Sequence, residues 1–373
     1  MNIDRRWTMV NTCRLAVSAI FIVSGMTKLV DPVGTQLKVE EYANALGVEH
    51  YVALVSPLLV AVTLSLTEFC TGISLFFGIR RRVTTSLSLL LALSFSLLTL
   101  WSAATGAVPE CGCFGDAWKL TPWQTFGKNV VLTCMAAVVW WRGNLLSRFI
   151  SESVQWIVSI YSFLFGFFVA LTGIYGEPIL DFRPFHVGQH IPTAMQWPDD
   201  VDRLPAIPDF DLDEAILTDT ARTFLLIAPH LETADDSNLN AINALYDYAR
   251  SRHERFVCLT ASDDAAISRW QDLTGAEYPF LFMDDSVLRT VARSNPALML
   301  LHDGWIEGKW SHSSLPEPAA FDSMSMADNR RSMLAGTLRL ALWYIIPLLL
   351  LTLLDRTIFA MRWWRRRHQR LST

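Results

Sequence analysis

Long apolar stretches constrain the fold of this chain more than any other feature. Six of them, near Val10–Val30, Tyr51–Gly78, Val83–Ala104, Phe126–Trp141, Val154–Tyr175 and Leu334–Phe359, suit helices that cross a hydrocarbon core about 30 Å thick. A bilayer offers no water to stray backbone groups, so such segments must be helical and must pack on one another. The fourth is short and can be extended back to Pro122. Pro57 and Pro347 fall in the second and sixth, where neighbouring helices can cover the freed carbonyls. Composition agrees: 51% of the 373 residues are hydrophobic, with 14 Trp and 21 Phe, too apolar for a soluble enzyme. The acids gather between Glu177 and Asp328, so the net charge of -5 describes a membrane body with an acidic soluble insert. Nothing in the charge pattern points to nucleic acid; the partner it implies is the lipid bilayer.

Basic residues predict the orientation. Arg5 and Arg6 precede the first stretch, Arg80, Arg81 and Arg82 separate the second and third, and Arg142 and Arg148 follow the fourth. Arg356, Arg362, Arg365, Arg366, Arg367 and Arg370 follow the sixth. If all six cross, these all lie on one side, which predicts cytoplasmic termini. The loop around Gly112 and residues 176–332 then share the outer face, the oxidising periplasm of a bacterium. The expected localisation is therefore the bacterial inner membrane. Lys28, Asp31 and Pro32 follow the first stretch in place of a small-residue cleavage site, so it reads as an uncleaved anchor.

In the loop after the third stretch stands Cys111-Gly112-Cys113-Phe114-Gly115. Two thiols one residue apart can close a small-ring disulfide, bind a soft metal or pass electrons to a partner. Bridging needs the two Cα atoms within roughly 7 Å, and the intervening Gly112 gives the required turn. Two thiolates without a nearby His are an incomplete metal site, so no metal is assigned. Cys13, Cys70, Cys134 and Cys258 read as apolar filler.

Glu68 lies mid-span, where a carboxylate costs on the order of 3 kcal/mol. It must face other helices, and Lys28 is a candidate partner. The pair reads either as a proton or quinone site or as a helix-to-helix hydrogen bond that fixes packing. Gly72 and Gly78 read as close helix approaches. Residues Gln36–Ala45 carry charges and apolar residues at helical spacing, as an interfacial helix does. His186 and His190 are spaced i, i+4, but Gly188 and nearby prolines argue against a helical metal site there.

After a Pro- and Gly-rich linker over residues 177–205, strands and helices alternate. Thr223–Ala228, Phe256–Thr260, Phe280–Met283, Ala297–His302 and Trp305–Trp310 read as strands, the last two joined by an Asp303-Gly304 hairpin turn. Helices are expected from about Asp235 to Ser251, with the two acids Asp235 and Asp236 at its start, over Asp263–Leu273 with Ser262 as a cap, and over Ser286–Ala292. The pattern predicts an α/β layer with a mixed sheet.

Three patches, Ser24-Gly25-Met26-Thr27-Lys28-Leu29 with Asp31-Pro32, then Glu68, Gly72, Leu75, Gly78 and Arg80, then Cys111-Gly112-Cys113-Phe114-Gly115, resemble the DoxX-like four-helix membrane family and its MauE branch. That resemblance implies a role in extracytoplasmic redox or protein maturation alongside a thioredoxin-like partner. In the insert, Ile207-Pro208-Asp209-Phe210 and Asn295-Pro296-Ala297-Leu298-Met299-Leu300-Leu301-His302-Asp303-Gly304 resemble a membrane-anchored, TlpA-like thioredoxin fold. There Pro296 corresponds to that family's cis-proline. The usual Cys-x-x-Cys is missing, since Leu231 and Ala234 in Ala228-Pro229-His230-Leu231-Glu232-Thr233-Ala234 stand in the cysteine positions. That segment and Pro296 imply a docking surface for a periplasmic thiol protein or peptide.

The expected architecture is a polytopic α-helical membrane protein with an α/β thioredoxin-like extracytoplasmic domain. Residues 1–150 form a four-helix domain and 151–176 a fifth span. Residues 206–318 form the α/β domain, 333–360 a sixth span and 361–373 a basic tail. The functional expectation is thiol/disulfide handling, with Cys111 and Cys113 as a redox pair, Glu68 and Lys28 as a proton or quinone site, and His230 and Pro296 as binding residues. The alternative is a non-catalytic membrane-anchored scaffold of an envelope complex.

Overall fold

The computed structural model describes residues 3–108, 120–178, 180–196, 207, 210, 212–217 and 221–371. They form two compact units, Met1–Leu171 with Arg339–Thr373, and Thr172–Leu338. The chain is a polytopic helical membrane protein that carries an α/β sheet unit.

The helical unit opens with α1 (Ile3–Val30), α2 (Pro32–Leu46), α3 (Glu49–Val55), α4 (Pro57–Phe77), α5 (Arg81–Thr105) and α6 (Pro122–Trp141). Helix α7 (Gln155–Tyr175) follows after a turn of 3-10 helix. Long faces of α1 against α4 and of α5 against α6 build a four-helix bundle, closed by α1 on α6 and α4 on α5. Gly72 lets α1 and α4 approach: a Cβ there would lie 2.8 Å from the Ile22 backbone nitrogen. Gly78 ends α4 at φ +72, and a Cβ there would lie 2.6 Å from the Ser147 carbonyl oxygen. Polar side chains join α5 to α6, where an apolar partner gains nothing over lipid. Asn129 Nδ2 donates to Thr99 Oγ1 at 3.2 Å, and the Ser96 and Thr133 hydroxyls lie 2.8 Å apart.

The expected interfacial helix is α2. Asp31 caps it by accepting from the Gly34 backbone N–H at 2.9 Å, and it packs on α4. Pro122 does open α6, inside a capping box made by Thr121 and Gln124. Among the described residues five helices are long and apolar enough to span a bilayer by length and composition alone, and α6 falls short of that hydropathy. It has 20 residues, but its first half carries Gln124, Lys128 and Asn129, which lower its hydropathy; of these Asn129 is buried against α5.

The α/β unit adds α8 (Ile191–Met195), α9 (Glu214–Leu217), β1 (Thr223–Ile227), α10 (Leu239–Ser251), β2 (Arg255–Thr260), α11 (Asp264–Thr274), β3 (Phe280–Phe282), α12 (Asp285–Val291), β4 (Ala297–His302) and β5 (Trp305–Ser311). Helix α13 (Met326–Leu371) is far longer than the apolar stretch inside it and includes Pro347. The sheet order is β3-β2-β1-β4-β5. Strands β1, β2 and β3 run parallel, whereas β4 pairs antiparallel with β1 and β5 antiparallel with β4. Strand β1 is buried at all five residues, as a central strand covered on both faces must be. Leu225, Ile227, Val257 and Met299 face one core with α12, whereas Phe224, Leu226, Phe256 and Leu298 face another with α10 and α11.

Local details differ from the expectations. Helix α10 starts at Leu239 with Asn238 as N-cap, because Asp235 instead turns its carboxylate onto the Ser237 backbone N–H. Asp263, not Ser262, caps α11. The segment expected as a linker packs as part of this unit. Phe185, Val187, Ile191 and Ala194 enter the first core. The Gly188 N–H donates to Ile306 O, and the Ile306 N–H to Gln189 O. A free edge of β5 would be a template for unwanted pairing, and this segment covers it. Asp303 and Gly304 turn the hairpin at φ 48 and 74.

Candidate functional site

Each unit buries oppositely charged side chains against one another. In the helical unit Lys28, near the end of α1, donates from Nζ to Glu68 Oε2 on α4 at 2.6 Å. Their side chains are 8% and 3% exposed, so the pair lies inside the bundle. The face of the Phe95 ring on α5 lies 4.9 Å from Lys28 Nζ, an attractive cation–π geometry. Further along the same α1–α4 interface, Ser18 Oγ donates to Gly72 O at 2.8 Å. The expected partnership of Glu68 with Lys28 is therefore present as geometry.

In the α/β unit, the loop between β1 and α10 meets the loop before β4. Asn295 Nδ2 donates to the His230 carbonyl at 2.7 Å, and the Asp235 N–H donates to Asn295 O at 2.9 Å. His230 and Pro296, separated by 66 positions in the chain, are thereby held on one edge of the sheet. The Asn295-Pro296 peptide bond is cis. The His230 Nε2 lies 2.9 Å from Asp285 Oδ1, and Arg289 Nε lies 2.8 Å from Asp285 Oδ2. Both Asp285 and Arg289 belong to α12, and no sequence motif marks them. Leu231 is buried, and its N–H donates to Ser262 Oγ, which in turn donates to Glu232. Cys258, the one cysteine of this unit, is buried in β2, and burial pushes its thiol pKa up. This edge therefore carries imidazole, carboxylate and guanidinium but no accessible thiol.

Beneath it lies a second group that sequence reading passes over: Glu177, Asp181, Arg183 and Lys309. Arg183 Nη2 donates to Glu177 Oε2 at 2.6 Å and Nε to Asp181 Oδ1 at 2.7 Å, and Lys309 Nζ lies 2.7 Å from Asp181 Oδ2. Lys309 also donates to the carbonyls of Phe185 and Val291. Glu177 Oε1 accepts from the backbone N–H groups of Arg293 and Ser294, at 2.8 and 3.1 Å. Burial alone would raise the Glu177 pKa. The Arg183 and Lys309 charges outweigh it and hold the carboxyl at about 2. Asp181, against burial, is held well below the usual carboxylate range by Lys309 and Arg183. Acids and bases scattered through a polar linker and a strand carry no periodic signal, so only folding reveals them as one cluster.

Cys111 and Cys113 lie outside the described residues. His186 and His190 do not converge: His186 Nδ1 meets Arg183 O at 2.9 Å, whereas His190 Nδ1 meets Thr193 Oγ1 at 2.6 Å.

Fold and site together define a multi-pass membrane bundle with a buried ion pair, joined to an α/β unit. Residues 6–142, which hold that bundle and the Cys-Gly-Cys loop, match the family described as methylamine utilisation protein MauE. No curated protein and no solved structure matches the chain.

Proposed function

We propose that this protein handles thiols and disulfides on the outer face of a bacterial inner membrane, in a maturation role of the MauE kind. The observation that carries the proposal is the family match over residues 6–142, which includes both loop cysteines and the Lys28–Glu68 pair. Cys111 and Cys113 act as the redox pair. Closing their disulfide releases two electrons and two protons; a partner disulfide that takes up both becomes a dithiol. A membrane quinone is the second acceptor class. Lys28 and Glu68 are the buried groups suited to holding a proton that moves with those electrons.

The α/β unit is assigned the docking role. Its strand order and its cis-Pro296 loop beside His230 agree with a thioredoxin-like fold, and Leu231 occupies the place of the first cysteine. Without an accessible thiol it serves by binding a periplasmic thiol protein or extended peptide, not by exchange.

Thiol trapping in cells tests the redox role. Alternation of Cys111 and Cys113 between reduced and oxidised forms, with a mixed disulfide accumulating in Cys113→Ser, supports it. A pair fixed in one state under every condition overturns it. The absence of a reactive thiol in the α/β unit favours one second reading, a non-catalytic envelope scaffold. In that case Cys111→Ser with Cys113→Ser preserves function, whereas His230→Ala abolishes it.

A further inference from the structure

Helices α4, α5 and α7 enclose a groove of about 780 Å³ within the helical unit. Two contacts hold α7 against its neighbours. At one, Gly166 sits so close to α4 that a Cβ would come within 2.9 Å of Leu66 and 3.3 Å of Phe69. At the other, Gln155 Oε1 accepts from the Arg80 N–H at 3.3 Å. From Gln155 to Gly166 the helix advances about 16 Å at 1.5 Å per residue. That is close to the half-thickness, about 15 Å, that one leaflet contributes to the hydrocarbon core.

The groove walls are apolar. Three of their hydroxyls are turned onto nearby main chain: Thr67 Oγ1 donates to Thr63 O, Thr84 Oγ1 to Ile79 O in the turn before α5, and Ser159 Oγ to Gln155 O. Most of what faces the space is methyl, methylene and aromatic surface, including Leu66, Ile160 and Phe163. The Gln155 end is different. Arg80 and Trp156 are exposed there, and the groove's one carboxylate, Glu152, pairs with Arg148. Among the described residues Arg80 has no carboxylate partner. An exposed indole beside a basic side chain is the usual arrangement at headgroup depth.

We infer that this groove holds one acyl chain of an anionic diacyl phospholipid, with its phosphate at Arg80. An apolar groove of leaflet length facing hydrocarbon takes a hydrocarbon chain, and the uncommitted guanidinium at its mouth selects a negative headgroup. The site is separate from the Lys28–Glu68 pair, since neither of those residues lines it.

The test is native mass spectrometry of the full chain released from detergent with phosphatidylglycerol or phosphatidylcholine. The wild type retains one phosphatidylglycerol in preference to phosphatidylcholine. Arg80→Ala lowers that preference about fivefold, and Arg80→Lys keeps it. Ser159→Phe, which fills the groove, removes retention of both lipids, and circular dichroism of the same sample confirms its helix content. Because Arg80 is a surface side chain, its variants test the idea even if Ser159→Phe misfolds. Equal retention of the two lipids by the wild type, an unchanged preference in Arg80→Ala, or recovery of a neutral isoprenoid quinone from the groove each overturns the inference.

Discussion

The two buried charge sites are built on opposite plans. The α/β unit collects two acids and two bases and ties them to main chain on three sides, through Phe185, Val291 and the Arg293–Ser294 amides. The bundle sets one ammonium against one carboxylate between α1 and α4, over an aromatic ring. A group bound by many fixed partners resists a change of protonation, because every partner is arranged for one charge state. Glu68, by contrast, meets the ammonium of Lys28 across the α1–α4 interface. The quartet therefore reads as a clamp that fixes the loop leading to Pro296, and the pair as the site where a proton can be exchanged.

The comparison is broken most directly at Arg183. Arg183→Met leaves Glu177 and Asp181 buried with only Lys309 between them. Removing one partner from a buried ionic network costs about 3–5 kcal/mol. Hydrogen exchange of the full chain should show β1 and β4 opening by that amount, with α1 and α4 unchanged. Unaltered exchange in the sheet would remove the clamp.

Acid probes the same cluster. The carboxyl of Glu177 moves from an ordinary value of 4.5 to about 2 on folding. A depressed folded value stabilises the fold above the unfolded pKa and is lost as pH falls through the folded one. The contribution, roughly 3 kcal/mol, is complete above about pH 4.5 and disappears towards pH 2. Asp181 acts in the same direction. Glu177→Gln should flatten this acid limb in exchange measurements on the α/β unit.

How much of this was legible in sequence differs between the two sites. Glu68 stands out because a carboxylate in an apolar run needs a partner, whether for proton chemistry or for packing, and Lys28 is a counterion within reach. The sheet was legible through Thr223–Ile227 and the Asp303-Gly304 turn, where strand run and turn chemistry are local signals. The quartet was not, because Glu177 and Lys309 are 132 positions apart and each is unremarkable in its own segment. The same blindness misread residues 180–196: proline and glycine suggested a linker, whereas tertiary contacts with Ile306 turned the segment into a cover for β5. Asn129 of α6 was opaque for the same reason, since its partner Thr99 lies on α5.

Within the bundle the single change Glu68→Gln should cost less than Arg183→Met. It leaves the Lys28 ammonium beside an amide oxygen, and polar contacts between membrane helices are worth roughly 1–2 kcal/mol. Steric-trap unfolding in bicelles measures it; a loss as large as that from Arg183→Met would place both sites in the same structural class.

The smallest effect on stability is expected where both charges go together. Lys28→Met with Glu68→Met replaces a buried pair by apolar side chains of similar length, leaving no uncompensated charge. Such replacements are near neutral, within about 1 kcal/mol, or stabilising. A double-mutant cycle with the single variants Lys28→Met and Glu68→Met then isolates the pair itself. If the pair serves proton exchange, the double variant keeps its bundle intact yet shifts the trapped redox state of Cys111 and Cys113. If it serves packing, the trapped state follows the wild type and only stability moves. A fully intact bundle with a frozen thiol pair is the outcome that separates the two roles, because a packing role has no route to the thiols except through the fold.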